Sequence, residues 1–163
     1  MQKLWAGFAT STLAETRAAV AAAVRDAQAQ LEGHSPGLVF VTATVEHDAG
    51  ALFIALRQAL PGVPVHGITT SLGVLSKDGI VASGAGAVGV LLFAGDDSVG
   101  FAVGHAVLGD DARAAGRVAA QRLASGPLPP RVILFNSSPG REGDTLRGIA
   151  DVLPGVPAFG GSA

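Results

Sequence analysis

Apolar residues fall along this chain in two alternating periods. Short runs such as Leu38-Val39-Phe40-Val41 and Val132-Ile133-Leu134-Phe135 read as buried strands, whereas Val20, Val24, Ala27 and Leu31 recur at helical spacing on one face. The pattern predicts strand, helix, strand, helix, strand, and then the same order again. In the first round residues 4–9 form a short strand, and Thr12 with Glu15 three positions on reads as a capping box that opens a helix. Gly33 ends that helix. Asp48 is placed to cap a second helix striped by Leu52, Leu56 and Leu60, and Pro61-Gly62 breaks it before a strand from Val63. The second round predicts a strand near residues 99–107, a helix over about 111–125, a strand at 132–135, a helix carrying Leu146, Ile149 and Leu153, and a strand from Val156.

The two rounds also share letters. Leu60-Pro61-Gly62-Val63-Pro64-Val65-His66-Gly67 is matched by Leu153-Pro154-Gly155-Val156-Pro157-Ala158-Phe159-Gly160 at an offset of 93, and the same offset pairs Gly7-Phe8-Ala9 with Gly100-Phe101-Ala102 and Gly33 with Gly126. A register held without a gap over most of each half predicts internal duplication. Between the copies, Asp78-Gly79 flanked by Val74-Leu75 and Ile80-Val81 predicts a tight antiparallel hairpin with a primed turn. The expected fold class is therefore α/β: internally duplicated βαβαβ units with an inserted antiparallel hairpin, forming a mixed sheet flanked by helices. One domain over 1–163 is expected, with repeat one at about 1–70, the hairpin insert at 71–95 and repeat two at about 96–163. The first copy runs on from Gly67 into Thr69-Thr70-Ser71 and the hairpin, while the second ends at Gly160-Gly161-Ser162-Ala163, which predicts truncation at the C-terminal end.

Composition narrows the function classes. The chain of 163 residues has no cysteine, which removes disulfides, thiolate catalysis and zinc-thiolate sites together. Its formal net charge is −2 with Lys and Arg scattered, so neither nucleic acid nor an anionic membrane is an expected partner. The longest apolar run, 85–95, is about half of the ~20 residues a spanning helix needs, and Asp96-Asp97 closes it. A cytoplasmic location follows by default.

Open α/β sheets bind ligands beyond the carboxyl ends of their strands, where loops carry polar side chains and helix N-termini present amides. That rule singles out Thr42 and Thr44, then Thr69, Thr70 and Ser71, then Asn136, Ser137 and Ser138, and finally Gly161 and Ser162. These loops form two symmetry-related pairs, although the same hydroxyls also serve as helix and turn caps. Arg141, at the opening of the fourth helix, is a candidate grip for a ligand carboxylate or a solvated surface group. Gly84-Ala85-Gly86-Ala87-Val88-Gly89 matches the dinucleotide fingerprint, but a strand rather than a helix follows it, so no nucleotide cofactor is expected. Gly33-His34-Ser35-Pro36-Gly37 matches a nucleophile elbow but joins a helix to a strand, the wrong way round. The four histidines show no pairing at helical spacing, so zinc is not expected.

Three pieces in order carry a resemblance to a family. The first is Leu38-Val39-Phe40-Val41 followed by a helix and the segment from Leu60 through Thr69-Thr70-Ser71-Leu72-Gly73. The second is the helix start Gly109-Asp110-Asp111-Ala112-Arg113-Ala114-Ala115-Gly116, and the third is Val156-Pro157-Ala158-Phe159-Gly160-Gly161-Ser162-Ala163. Together they resemble the N-terminal part of the FIST domain, a sensory module of bacterial signalling proteins also found in some F-box proteins. The resemblance implies a small ligand, with amino acids the usual class, and transmission to an output partner. It also implies a C-terminal FIST half or a signalling protein as partner. Some members carry haem, for which His47 or His66 would be the first axial candidates; no other cofactor is expected. Many members have Cys where Ile68 stands here.

The sequence thus reads as a non-enzymatic sensory, small-ligand-binding domain. The alternatives are an α/β hydrolytic enzyme taking its nucleophile or base from Ser71, Ser137 or His47, and a protein-interaction module built on an unfinished strand edge.

Overall fold

Residues 3–162 are described in a computed structural model, in which the chain divides between Val99 and Gly100 into two compact units. The first unit runs β1 (Leu4–Ser11), α1 (Thr16–Gln28), β2 (Leu38–Thr44), α2 (Ala49–Ala59), β3 (Val65–Thr70), β4 (Val74–Ser76), β5 (Gly79–Val81) and β6 (Val88–Gly95). Its sheet has the order β1-β6-β2-β3, with β2 and β3 parallel and β6 antiparallel to both of its neighbours. Apolar strands joined by amphipathic helices build this mixed α/β sheet as the pattern predicts. The segment 71–95, read as a hairpin insert, ends in β6, which lies antiparallel between β1 and β2 and makes the sheet mixed.

Alternation along β6 explains that position. Val88, Val90, Leu92 and Ala94 are fully buried against Val20, Val24, Leu52 and Leu56, so α1 and α2 cover one face of the sheet. Gly89, Leu91 and Phe93 point to the other face. Asp48 caps α2 through a 2.7 Å bond from the Ala51 amide, and Leu52, Leu56 and Leu60 are buried as their spacing requires. The start of α1 differs from expectation. Glu15, not Thr12, is the cap, its carboxylate accepting from the Arg17 and Ala18 amides, which holds the group below the usual carboxylate range. The two carboxylate oxygens reach two helix amides at once, which the shorter threonine, one turn further off, does not.

The hairpin turn also moves by one position. Ser76 pairs with Gly79, so Lys77 and Asp78 are the central residues and neither takes a positive φ. Gly79 alone does, at 118°, and this excludes a primed turn.

The second unit contains α3 (Ala112–Ala124), β7 (Ile133–Ser137), α4 (Glu142–Val152) and β8 (Ala158–Ser162), with β7 and β8 parallel. Asp111, at the expected start of the third helix, is its N-cap, accepting from the Ala114 amide at 2.8 Å. The strand expected near residues 99–107 is absent. No strand of the described residues pairs with this segment, which packs on α3 instead, where Arg122 donates to the His105 carbonyl at 2.7 Å. Helices α3 and α4 approach closely because Gly116 and Gly148 sit at their crossing, each directly against backbone of the other helix. Arg113 then clasps Asp151 with two bonds of 2.8 and 2.7 Å, and Arg117 adds a third at 3.2 Å.

The two units share the order helix, strand, helix, strand. Their likeness is one of element order and not of register: Val39 stands opposite Val65, yet Ile133 rather than Val132 stands opposite Ala158. The ungapped offset therefore fails inside the ladder, and β1 and β6 have no counterparts among the described residues of the second unit. No helix of the described residues is long and apolar enough to cross a membrane.

Two outcomes follow for stability. Leu56→Ala empties a fully buried site in the first unit and is expected to cost about 2–5 kcal/mol, read as a lower denaturation midpoint at unchanged slope. Asp151 is held at about 2, chiefly by its hydrogen bonds from Arg113. A carboxyl depressed in the folded state binds fewer protons there than in the unfolded chain, so its contribution is complete above about pH 4 and lost as pH falls toward 2. Asp151→Asn should lower the melting temperature at neutral pH, and its difference from the parent should vanish at the acid end of a pH series.

Candidate functional site

The face of the first sheet turned away from α1 and α2 carries one continuous side-chain pattern. Phe8, Leu91, Phe40 and His66 are neighbours across β1, β6, β2 and β3 in one row, and Thr10, Gly89, Thr42 and Ile68 form the next. Leu75, Ser76 and Lys77 of the β4–β5 hairpin stand over this face. Between them lies a solvent-open cleft of about 510 Å³ lined by Phe8, Phe40, Thr42, Ile68, Thr70 and Leu91, with Gly73 to Lys77 as one wall. Gly89 seats the hairpin. A side chain there would run directly into the Val74 methyl and come within 2.9 Å of Thr42 Oγ1, so the absence of one lets Val74 sink into the sheet, where it is 2% exposed. The β2–β3 ladder and the Val74 contact thus shape one chamber from elements distant in sequence.

Two of the residues expected in the first unit line this chamber. The Thr42 hydroxyl makes no hydrogen bond within the described residues, and Thr70 Oγ1 accepts from the Leu72 amide at 3.3 Å. The others lie elsewhere. Thr44 is buried and its hydroxyl accepts from the Ala87 amide at 2.9 Å, locking the end of β2 to the start of β6. Thr69 alternates to the other side of β3 and is exposed, as is Ser71 in the turn that follows. Sequence reasoning missed the apolar lining, Phe8, Phe40, Ile68 and Leu91, and the hairpin wall. The available signal was the period-two alternation in β1 and β6, which places Phe8 and Leu91 opposite the helix-facing residues.

In the second unit the polar residues at the strand ends are engaged with one another. Ser137 Oγ lies 3.3 Å from Thr145 Oγ1, which donates to the Arg141 carbonyl at 3.0 Å. Glu142, in the first turn of α4, accepts from its own amide, from the Ser162 hydroxyl and from the Gly140 amide, and these hold its carboxyl below the usual range. A carboxylate of the chain itself thus fills the anion position at this helix N-terminus. Arg141 donates to the Asp110 carbonyl, while its Nε is buried without a partner. Asn136 and Gly161 are half-buried at the ends of β7 and β8, and Ser138 is exposed.

The other residues with candidate chemistry are placed as follows. His47 is 3% exposed; its Nδ1 lies 3.1 Å from Thr16 Oγ1, and its Nε2 is buried without a partner beneath the backbone at Gly86. An axial histidine must open its Nε2 to the haem iron, and burial closes this one, so haem does not fit at His47. His66 is stacked on Phe40 with ring centroids 5.4 Å apart, and His34 on Trp5 at 3.5 Å. Among the described residues, no three His, Cys, Asp or Glu side chains form a group that could hold a metal ion. Gly84 to Gly89 leads into β6, as expected, and not into a helix.

Comparison with known proteins gives one family: the FIST N domain model matches residues 37–163, most of the chain. No curated protein matches it.

Gly89→Ala should lift the hairpin by displacing Val74. The expected outcome is tryptic cleavage at Lys77 about tenfold faster than in the parent under native conditions, because local opening sets the rate. An unchanged cleavage rate would remove Gly89 as the hairpin's seat.

Proposed function

We propose, as the chain belongs to the FIST N domain family of sensory domains in signal-transduction proteins, that it is a non-catalytic receptor for a small molecule bound in the chamber of its first unit. The observation that carries this reading is the chamber itself. Its volume of about 510 Å³ falls within the roughly 300–1,000 Å³ typical of small-ligand sites, and an apolar lining with a few hydroxyls is the usual make-up of such sites. Thr42 and Thr70 are the hydrogen-bonding residues of this site. Amino acids are the class suggested by the resemblance to the family, and the output partner is a FIST C-terminal half or another signalling protein in the cytoplasm. The non-enzymatic reading is supported by the surroundings of the candidate nucleophile and base. The Ser137 hydroxyl faces Thr145 and not a histidine, and His47 Nδ1 faces Thr16.

A protein-interaction role draws on one separate observation. In the second unit β7 and β8 make a two-stranded sheet, and Val132, Leu134 and Phe159 at or beside it are exposed. Open strand edges pair with strands of other chains. Sedimentation that depends on protein concentration, or on an added partner domain, would favour this role.

The receptor reading is tested by a thermal-shift screen of neutral, zwitterionic and anionic metabolites against the whole chain. A ligand at a hundred times its Kd stabilises the folded form by about 2.7 kcal/mol, which raises the melting temperature by several degrees. A screen in which nothing raises it would overturn the proposal.

A further inference from the structure

We infer that the chamber accepts an uncharged, single-ring aromatic molecule with one hydrogen-bonding group, and discriminates against zwitterionic amino acids. This inference rests on the receptor reading and narrows its ligand.

Charge is the first ground. The lining contains no Asp or Glu and one cation, Lys77, which is 85% exposed and paired with Asp78 at 2.8 Å. An amino acid seated with its charged groups against this lining brings an ammonium and a carboxylate out of water. Each costs several kcal/mol unless a partner of opposite charge or several oriented dipoles meet it. The ammonium finds no carboxylate in this lining.

Shape is the second. Phe8 and Phe40 stand on either side of Leu91, two strands apart, which sets their backbones about 10 Å from each other. A ring laid over Leu91 in this interval would have aromatic side chains on both flanks, where rings prefer offset or edge-on contact. The row beside it leaves Gly89 without a side chain, with Val74 above it and the Thr42 hydroxyl next to it. Thr42 Oγ1 makes no hydrogen bond within the described residues, and Thr70 Oγ1 lies beyond it toward the strand ends. A ring seated over Leu91 would direct a hydroxyl or ring N–H toward these two oxygens.

The test is calorimetric titration of the whole chain with phenol, toluene and L-phenylalanine. Phenol is expected to bind most tightly, toluene more weakly, and L-phenylalanine at least tenfold more weakly than phenol, a difference of about 1.4 kcal/mol. Thr42→Val, which keeps the shape and removes the hydroxyl, should lower the ratio of phenol to toluene affinity about fivefold. Ile68→Trp fills the chamber from an edge strand and should abolish binding of both. Tighter binding of L-phenylalanine than of phenol, itself blocked by Ile68→Trp, would overturn the ligand class while leaving the receptor reading in place. If none of the three probes binds, the inference falls; the receptor reading falls with it only if the wider metabolite screen is also silent. An unchanged affinity ratio in Thr42→Val would remove the hydroxyl as the polar contact.

Discussion

The first unit depends on β6 lying antiparallel between β1 and β2. One side of this strand, Val88, Val90, Leu92 and Ala94, has no measurable exposure and meets both helices. Its other side, Gly89 and Leu91, is the floor of the chamber. Because successive side chains of a strand point to opposite faces, the same eight residues supply the core and the site. A slip of one residue would exchange the two, putting Gly89 and Leu91 into the core and Val90 onto the open face. The burial of Val90 and Leu92 therefore also holds the chamber in register.

The hydroxyl-rich strand ends show two different uses of similar residues. In the second unit Ser137, Thr145, Ser162 and Glu142 bond to one another or to the backbone, stabilising the junction of β7, β8 and α4. In the first unit Thr44 does comparable work between β2 and β6, but Thr42, two residues earlier on the same strand, faces the chamber. Sequence cannot separate these roles, since a threonine has the same chemistry in both. What separates them is whether a donor or acceptor from another element comes within reach.

Much of the architecture was legible. Helix periodicity gave α1 to α4, Asp48 was correctly placed as a cap, and Pro61-Gly62 ended α2 where it should. Errors arose where a local signal had two readings. Thr12 and Glu15 fit a capping box, but the glutamate by itself satisfies two amides. Residues 99–107 have the composition of a strand, but a strand exists only with a ladder partner, and this segment packs on a helix instead. The repeat of letters around Pro61 and Pro154 reflects like turns and like element order, while the pairing of β7 with β8 departs by one position from that of β2 with β3.

For the candidate site the balance is different. Thr42 and Thr70 could be named from the rule that ligands gather at the carboxyl ends of parallel strands, a rule that needs only the order of elements. Alternation could assign Phe8 and Leu91 to a face, but it could not bring Phe8, Phe40, Ile68 and Leu91 together, because they come from four strands whose side-by-side order is set by long-range pairing. The linear chain by itself determined which segments become helix or strand and which residues of each share a face, since both are governed by periods of a few residues. The insertion of β6, the seating of Val74 on Gly89 and the resulting chamber were decided only by tertiary structure, because burying one face of β6 against two helices chose its neighbours.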